Sequence, residues 1–160
     1  MSALAQGARP AFGLPGRIQD ANSQPRSIAV VGLGTGGAEV ARTLRGEGLD
    51  HLEVHVLAKH AAGADAVAAI KAGGGDLQRG LRAADMIFLV ACRGDDVGLA
   101  PVVAGIAHSR NHPVTGLYIV PPEALEGDDE TLRTLRSSVE MLVVVSDQSY
   151  VPAMIAALGS

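Results

Sequence analysis

Four glycines stand together where an apolar segment passes into a segment with helical character. Residues 28–41 read IAVVGLGTGGAEVA, in which Gly32, Gly34 and Gly37 satisfy the spacing G-x-G-x-x-G and Gly36 adds a fourth glycine. Backbone without side chains at a helix N-terminus can approach a phosphate closely, and its free N–H groups and the helix dipole favour the anion. The pattern predicts a candidate phosphate site, to which Thr35 could add its hydroxyl. A purely structural tight turn is the alternative.

The residues that follow decide which phosphate the glycines suit. A dinucleotide site needs an acid at the end of the second strand, about 20 residues on, to bind the ribose hydroxyls. Here that strand ends in VLAKH, without an acid, but Lys59 and His60 suit a 2′-phosphate, so an NADP-type site is one alternative. A Walker loop is excluded, because no Gly-Lys-Ser/Thr follows the glycines.

Three other groups have residue types that bear chemistry. The adjacent carboxylates Asp95 and Asp96 are candidate ligands for Mg²⁺, which prefers oxygen. His108 and His112 have the i, i+4 spacing of zinc ligands, but Pro113 disfavours helical geometry at His112. Cys92 lacks a visible base, which indicates an inert thiol rather than a nucleophile.

These residues lie between alternating strands and helices. The hydropathy pattern predicts strands at 28–32, 52–57, 86–91, 114–120 and 141–145, and helices at 37–46, 61–71, 76–83, 99–110, 129–138 and 151–158. Such alternation indicates an α/β fold with an open, mostly parallel, Rossmann-like sheet and helices on both faces. The loops to inspect are those at the carboxyl ends of the strands, 32–37, 58–63, 92–98 and 120–127.

Composition narrows the function classes. The 160 residues fit one domain, predicted to span 27–160 after a flexible leader, 1–26. A net charge of −4 and 2% aromatic residues argue against nucleic acid as a partner. One cysteine and the lack of a long apolar run predict a cytoplasmic protein without a membrane span.

Three stretches of the chain, 28–44, 83–107 and 125–145, resemble the nucleotide-binding half of the tubulin/FtsZ family of GTP-binding polymer proteins. VVGLGTGGAEV at 30–40 is similar to the family's first glycine loop, ADMIFL at 84–89 and APVVA at 100–104 are close to the FtsZ pattern, and LEG at 125–127 stands where the family has Phe-Glu-Gly. The resemblance covers most of 28–150 in the family's order. It implies a guanine-nucleotide site formed by Gly32, Gly34, Thr35, Gly36, Gly37, Glu39, Arg93, Gly94, Gly98 and Glu126.

The departures from the family all add negative charge. The loop 92–98 reads CRGDDVG where the family has a phosphate-binding loop rich in glycine and threonine, Glu39 aligns with an Asn and Glu130 with an Arg. The resemblance also ends before the parts that the family needs for hydrolysis. We therefore expect an FtsZ-like domain that does not hydrolyse GTP by itself, a guanine-nucleotide-binding or pseudo-GTPase assembly or interaction protein. GTP or GDP with Mg²⁺, or no cofactor, fits equally; expected partners are a second copy or an FtsZ-type polymer protein. A small NADP- or other nucleotide-dependent enzyme or sensor domain is the alternative.

Overall fold

The computed structural model describes residues 27–49, 51–57, 76–124 and 129–159. Its strands are β1 (Ile28–Leu33), β2 (Leu52–Leu57), β3 (Met86–Cys92), β4 (Val114–Ile119) and β5 (Met141–Val145). Its α-helices are α1 (Gly34–Arg45), α2 (Asp76–Ala83), α3 (Ala100–His108), α4 (Glu130–Ser138) and α5 (Val151–Gly159). Short 3₁₀ turns at Pro122–Ala124 and Gln148–Tyr150 complete the described elements.

The five strands form one parallel sheet in the order β2-β1-β3-β4-β5. Val30 in β1 pairs with Val54 in β2 and with Phe88 in β3, which fixes the register at the centre of the sheet. The strand order reverses direction between β1 and β3, so the loops that follow these two strands meet at the same edge. In open α/β sheets this is the place where ligands bind.

Helices cover both faces of the sheet, as the sequence predicts. On one face, Val40 and Leu44 of α1 and Ile155 of α5 pack against Phe88 and Val90 of β3. On the other face, side chains of α2, α3 and α4 pack against alternate residues of the same strands, including Leu81, Val103, Leu135, Ile87 and Leu89. Strands that are buried on both faces have continuous apolar sequences, which explains IAVVGL in β1 and MIFLVA in β3. The predicted open parallel α/β sheet is confirmed.

The largest difference from the predicted elements is the start of α1. The sequence predicts a turn over the glycines and a helix from residue 37, but the helix begins at Gly34, directly after the extended residue Leu33. Gly34 has a φ of 73°, which glycine tolerates without strain. This one residue makes the turn, so the later glycines already belong to the helix.

The other predicted elements fall within two residues of those observed. Helix α3 ends at His108 rather than at residue 110, because the chain turns there and Asn111 has a φ of 60°. The predicted leader 1–26 and the predicted helix 61–71 lie outside the described residues.

Gly37 and Gly105 are both helical glycines and allow a matched test of the contact between α1 and β3. A Cβ on Gly37 would lie 2.1 Å from the carbonyl oxygen of Val90, whereas a Cβ on Gly105 would meet nothing within 4 Å. We expect Gly37→Ala to lower the free energy of unfolding by about 1–3 kcal/mol. Gly105→Ala should raise it by about 0.5–1 kcal/mol, because alanine favours the helix. Urea unfolding of both variants measures this, and equal effects would contradict the close contact.

Candidate functional site

The carboxylate of Asp95 lies in the glycine loop. Its Oδ1 accepts a hydrogen bond from the Gly36 N–H at 3.0 Å, and its Oδ2 accepts one from the Gly37 N–H at 2.8 Å. The same Oδ2 also accepts the N–H of Cys92 at 2.7 Å. One side chain from the loop after β3 therefore takes three backbone donors at the beginning of α1 and the end of β3.

These contacts give α1 an anionic cap from a distant part of the chain. The helix has no acidic residue in its first turn, and Leu33, which precedes it, makes no side-chain cap. Asp95 lies 59 residues beyond Gly36 in the sequence, yet it places its charge at the positive end of the helix dipole. It thus supplies to these N–H groups what a bound phosphate would supply.

Two glycines of the motif are required by this side chain and its neighbour. A Cβ on Gly34 would lie 2.6 Å from the Cβ of Asp95, and a Cβ on Gly36 would lie 2.7 Å from the Cβ of Cys92. Neither distance leaves room for a larger residue. Contacts within the protein are thus sufficient to require glycine at these two positions.

The start of α4 holds the loop that carries Asp95. The hydroxyl of Thr131, a buried residue, donates to the carbonyl oxygen of Asp95 at 2.7 Å, and the Asp95 N–H donates to the carbonyl of Cys92 at 3.0 Å. The guanidinium of Arg93, in the same loop, lies 3.5 Å from Oδ2 of Asp129. The loop is therefore bonded to β3 on one side and to α4 on the other.

Asp129 joins three elements at this edge of the sheet. Its Oδ1 accepts the Leu132 N–H at 2.8 Å and so caps α4, and its Oδ2 accepts the hydroxyl of the buried Tyr118 at 2.5 Å. Burial raises the pKa of the Asp129 carboxyl, but the bonds from Tyr118 and Leu132 and the Arg93 charge outweigh this, and the pKa is lowered. Burial, with the Asp129 contact second, raises the pKa of Tyr118 to about 12.

Cys92 is half-buried and lies against the glycine loop. Burial of its thiol, and next the negative charge of Asp95, raises its pKa to about 11. Arg93 follows it in sequence, but its guanidinium lies 3.5 Å from Oδ2 of Asp129. The thiol is therefore protonated at neutral pH, which agrees with the inert thiol that the sequence indicates.

An acidic cavity of about 530 Å³ lies on the outer side of the Asp95 loop. Four of the residues that line it carry carboxylates: Asp95, Asp96, Asp129 and Glu130. The others are glycine, valine and threonine. Among the described residues that line it, none is a lysine or an arginine. A polyanion in this cavity would meet like charges.

Thr35, Glu39, Gly94 and Gly98 take no part in the three hydrogen bonds that the Asp95 carboxylate accepts. Thr35 is exposed, and Glu39 is directed to Arg42 on the same helix, 3.6 Å away. Gly94 is exposed with a φ of 83°, and the Gly98 N–H donates to Oδ1 of Asp96 at 2.9 Å, as in a local turn. Glu126, and Lys59 and His60 of the NADP alternative, lie outside the described residues.

The candidate metal ligands have other partners. Both oxygens of Asp95 accept backbone N–H groups, and among the described residues no three His, Cys, Asp or Glu side chains are grouped as a metal site would need. His108 pairs with Glu140 at 2.5 Å, whereas Nδ1 of His112 lies 3.2 Å from the Leu81 carbonyl. The two histidines are thus held by different parts of the molecule.

Sequence reasoning missed two members of this network, Tyr118 and Thr131. Both belong to regular elements whose patterns predict only a buried strand residue and a polar helix residue. A signal was available at Asp129, since an acid at the start of a helix is typical of an N-cap. Its second contact, across to β4, depends on the tertiary fold.

Comparison with known proteins gives a match in structure alone. No family model matches the chain, and no curated protein matches its sequence. The chain is similar in structure to an empty FtsZ dimer from M. jannaschii, with a TM-score of 0.56 and 20% identity over 86% of this chain and 49% of that one. It is also similar to a Burkholderia pseudomallei protein described as pilus assembly-related, with a TM-score of 0.41 and 16% identity over 83% of this chain and 90% of that one. Within the described ranges, every helix is too short or too polar to span a bilayer.

The FtsZ likeness bears on the fold. The chain spans about half the length of that structure, and at this identity the match does not extend to activity. The structure therefore has the FtsZ-like, Rossmann-like α/β sheet that the sequence motifs predict.

The raised pKa of Cys92 predicts slow alkylation. At pH 8 a thiol with a pKa of about 11 has roughly 100-fold less thiolate than one at the ordinary 9.0. We expect iodoacetamide to modify the folded protein at least about tenfold more slowly than the urea-unfolded chain. Mass spectrometry over time measures both rates, with a small free thiol as the control for the effect of urea. Equal rates would contradict the buried, protonated thiol.

The lowered pKa of Asp129 predicts how stability depends on acid. Its ionised form is stabilised by folding, so this contribution is complete at neutral pH and is lost as the pH falls below the ordinary value of 3.8. Asp129→Asn can still cap α4 but has no charge to lose. We expect it to unfold more readily than the wild type at pH 7 and to approach the wild type at pH 3. Thermal unfolding across this range is the measurement, and a constant difference would contradict the role of the charge.

Proposed function

We propose that this chain is a pseudo-GTPase: an FtsZ-like domain that holds no nucleotide phosphate in its glycine loop, does not hydrolyse GTP by itself and acts through contacts with other proteins. The observation that carries the proposal is the carboxylate of Asp95 on the N–H groups of Gly36 and Gly37. A phosphate bound to the same two groups would have to occupy the same positions.

Charge supports the steric argument. Two unit charges 4 Å apart repel by about 4 kcal/mol at an effective dielectric of 20, and a polyphosphate carries several charges. Asp96, Asp129 and Glu130 line the cavity beside Asp95, so a nucleotide that entered it would meet them as well. Arg93, the nearest predicted cation, lies by Asp129.

Displacing Asp95 would also disturb the protein itself. The carboxylate caps α1, and the loop that carries it is bonded to Thr131. A phosphate on the Gly36 and Gly37 N–H groups would leave the Asp95 carboxylate without these donors and the Cys92 N–H without its acceptor, which costs about 1–3 kcal/mol. A nucleotide would have to supply that free energy before it gained any affinity.

Such a domain would act by binding other proteins through its surface. The FtsZ-like fold, and the resemblance in sequence to polymer proteins, support assembly with a second copy or with an FtsZ-type protein. A glycine loop whose N–H groups are bonded to Asp95 supports a role in which contacts do not depend on nucleotide turnover.

Titration with GTP and GDP tests this function. By calorimetry, with and without Mg²⁺, we expect no binding by the wild type in the micromolar range, and no phosphate release from GTP.

Asp95→Asn should lower the free energy of unfolding by about 1–3 kcal/mol, because an amide offers the three N–H groups no charge and fewer acceptors. Asp96→Asn removes the same charge from the adjacent residue and should change stability little, since Asp96 is exposed.

Two outcomes would overturn the proposal. Micromolar binding of GTP or GDP by the wild type that Gly36→Glu abolishes would show a working nucleotide site. Equal stability of the Asp95→Asn and Asp96→Asn variants would show that Asp95 does not hold the loop.

A further inference from the structure

The exposed large apolar residues of the described chain are all near its C-terminal end. Met141 and Val144 of β5, Tyr150 of the following turn and Leu158 of α5 are 55%, 47%, 59% and 37% exposed. Between residues 141 and 159 the sequence has one charged residue, Asp147. We call the side chains of Met141, Val144, Tyr150 and Leu158 the C-terminal apolar surface.

Two of these four side chains, Met141 and Val144, belong to an edge strand without charge. In the described part of the chain, β5 pairs with β4 on one side and with no strand on the other. Its sequence is MLVVV, whereas β2, the opposite edge strand, reads LEVHVL and exposes Glu53. Edge strands usually carry charges that prevent pairing with another chain. One edge of this sheet follows that rule, and the other does not.

Both faces of the sheet at β5 expose an apolar side chain. Leu142 packs in the cluster that includes Leu135 of α4, and Val143 packs in the cluster that includes Ile155 of α5. Val144 has the orientation of Leu142 and Met141 that of Val143, because side chains alternate along a strand. A strand added at this edge would gain backbone hydrogen bonds and apolar contacts on both faces.

The charge pattern indicates which strand would fit. The chain has a net charge of −4, but none of the four side chains of the C-terminal apolar surface is charged, so charge attraction does not select a basic partner here. An uncharged apolar strand is its complement, and β5 itself is such a strand. In an antiparallel pair of two β5 strands no like charges face each other, and a twofold axis puts the same surface on both sides.

We propose that the β5 edge is a self-association site, at which a second copy of this chain adds its own β5 strand in antiparallel orientation. The two sheets then form one continuous sheet. This proposal rests on the proposed function as an interaction domain and specifies its partner and surface. It involves neither the glycine loop nor Asp95. Nucleotide titration therefore tests the proposed function, and the measurement of mass tests the dimer, independently of each other.

Light scattering and sedimentation of the full chain test the dimer. We expect a mass that rises from monomer to dimer with concentration. Val144→Lys places two like charges at the paired edges and should weaken the dimer by at least about tenfold. Thr43→Lys adds the same charge at an exposed position of α1 and should leave the dimer unchanged. Circular dichroism confirms that both variants are folded.

Cross-linking identifies the surface independently of these variants. Cys92 is the only cysteine, so Cys92→Ser gives a background without thiols. In that background a flexible thiol cross-linker, which can span either register of the strand pair, should join Val144→Cys to a second copy, and it should not join Thr43→Cys. A chain that is monomeric at all concentrations would overturn the proposal, as would a dimer that Val144→Lys leaves unchanged. Binding of β5 to an FtsZ-type polymer by a chain that is otherwise monomeric would overturn the choice of a second copy.

Discussion

Three backbone N–H groups hold one carboxylate, and the geometry of this end of the molecule depends on that contact. Gly36 and Gly37 at the beginning of α1 and Cys92 at the end of β3 converge on Asp95. The contact fixes the loop after β3, and that loop in turn is bonded to the start of α4 through Thr131. Close approach of this kind requires glycine at residues 34 and 36. A motif that is usually explained by a ligand is here explained by the protein's own side chain.

The sequence is sufficient to predict the fold because the physical signals are local and repeated. The continuous apolar runs of β1 and β3 indicate strands buried on both faces, and the helices between them indicate parallel pairing. Pro101 in the first turn of α3 marks the beginning of that helix, and Asp129 marks the beginning of α4. The start of α1 is predicted three residues late. Consecutive glycines indicate a turn, and the Asp95 cap that stabilises them as a helix comes from another part of the chain.

The site could be predicted only in part. The glycine loop and the loop 92–98 are both predicted at the correct edge of the sheet, and the sequence indicates that loop 92–98 adds negative charge where the family binds phosphate. What sequence reasoning does not give is the difference between these two neighbours: Asp95 is directed inward to the glycine N–H groups, whereas Asp96 is exposed and bonds to Gly98. That difference depends on the conformation of a loop in which Gly94 has a positive φ. Side-chain direction in such a loop has no periodic signal in the sequence.

The Asp95 carboxylate is part of the chain, so its local concentration at the start of α1 is fixed, unlike that of a bound ligand. A free ligand fills a site to an extent that follows its abundance, so a nucleotide-binding protein reports the state of the nucleotide pool. A tethered group acts at a fixed effective concentration, set by the chain that connects it, and dilution does not remove it. The beginning of α1 is therefore in one state for as long as the domain is folded. Under the proposed function, the contacts of this domain depend on its own concentration and not on the concentration of a nucleotide.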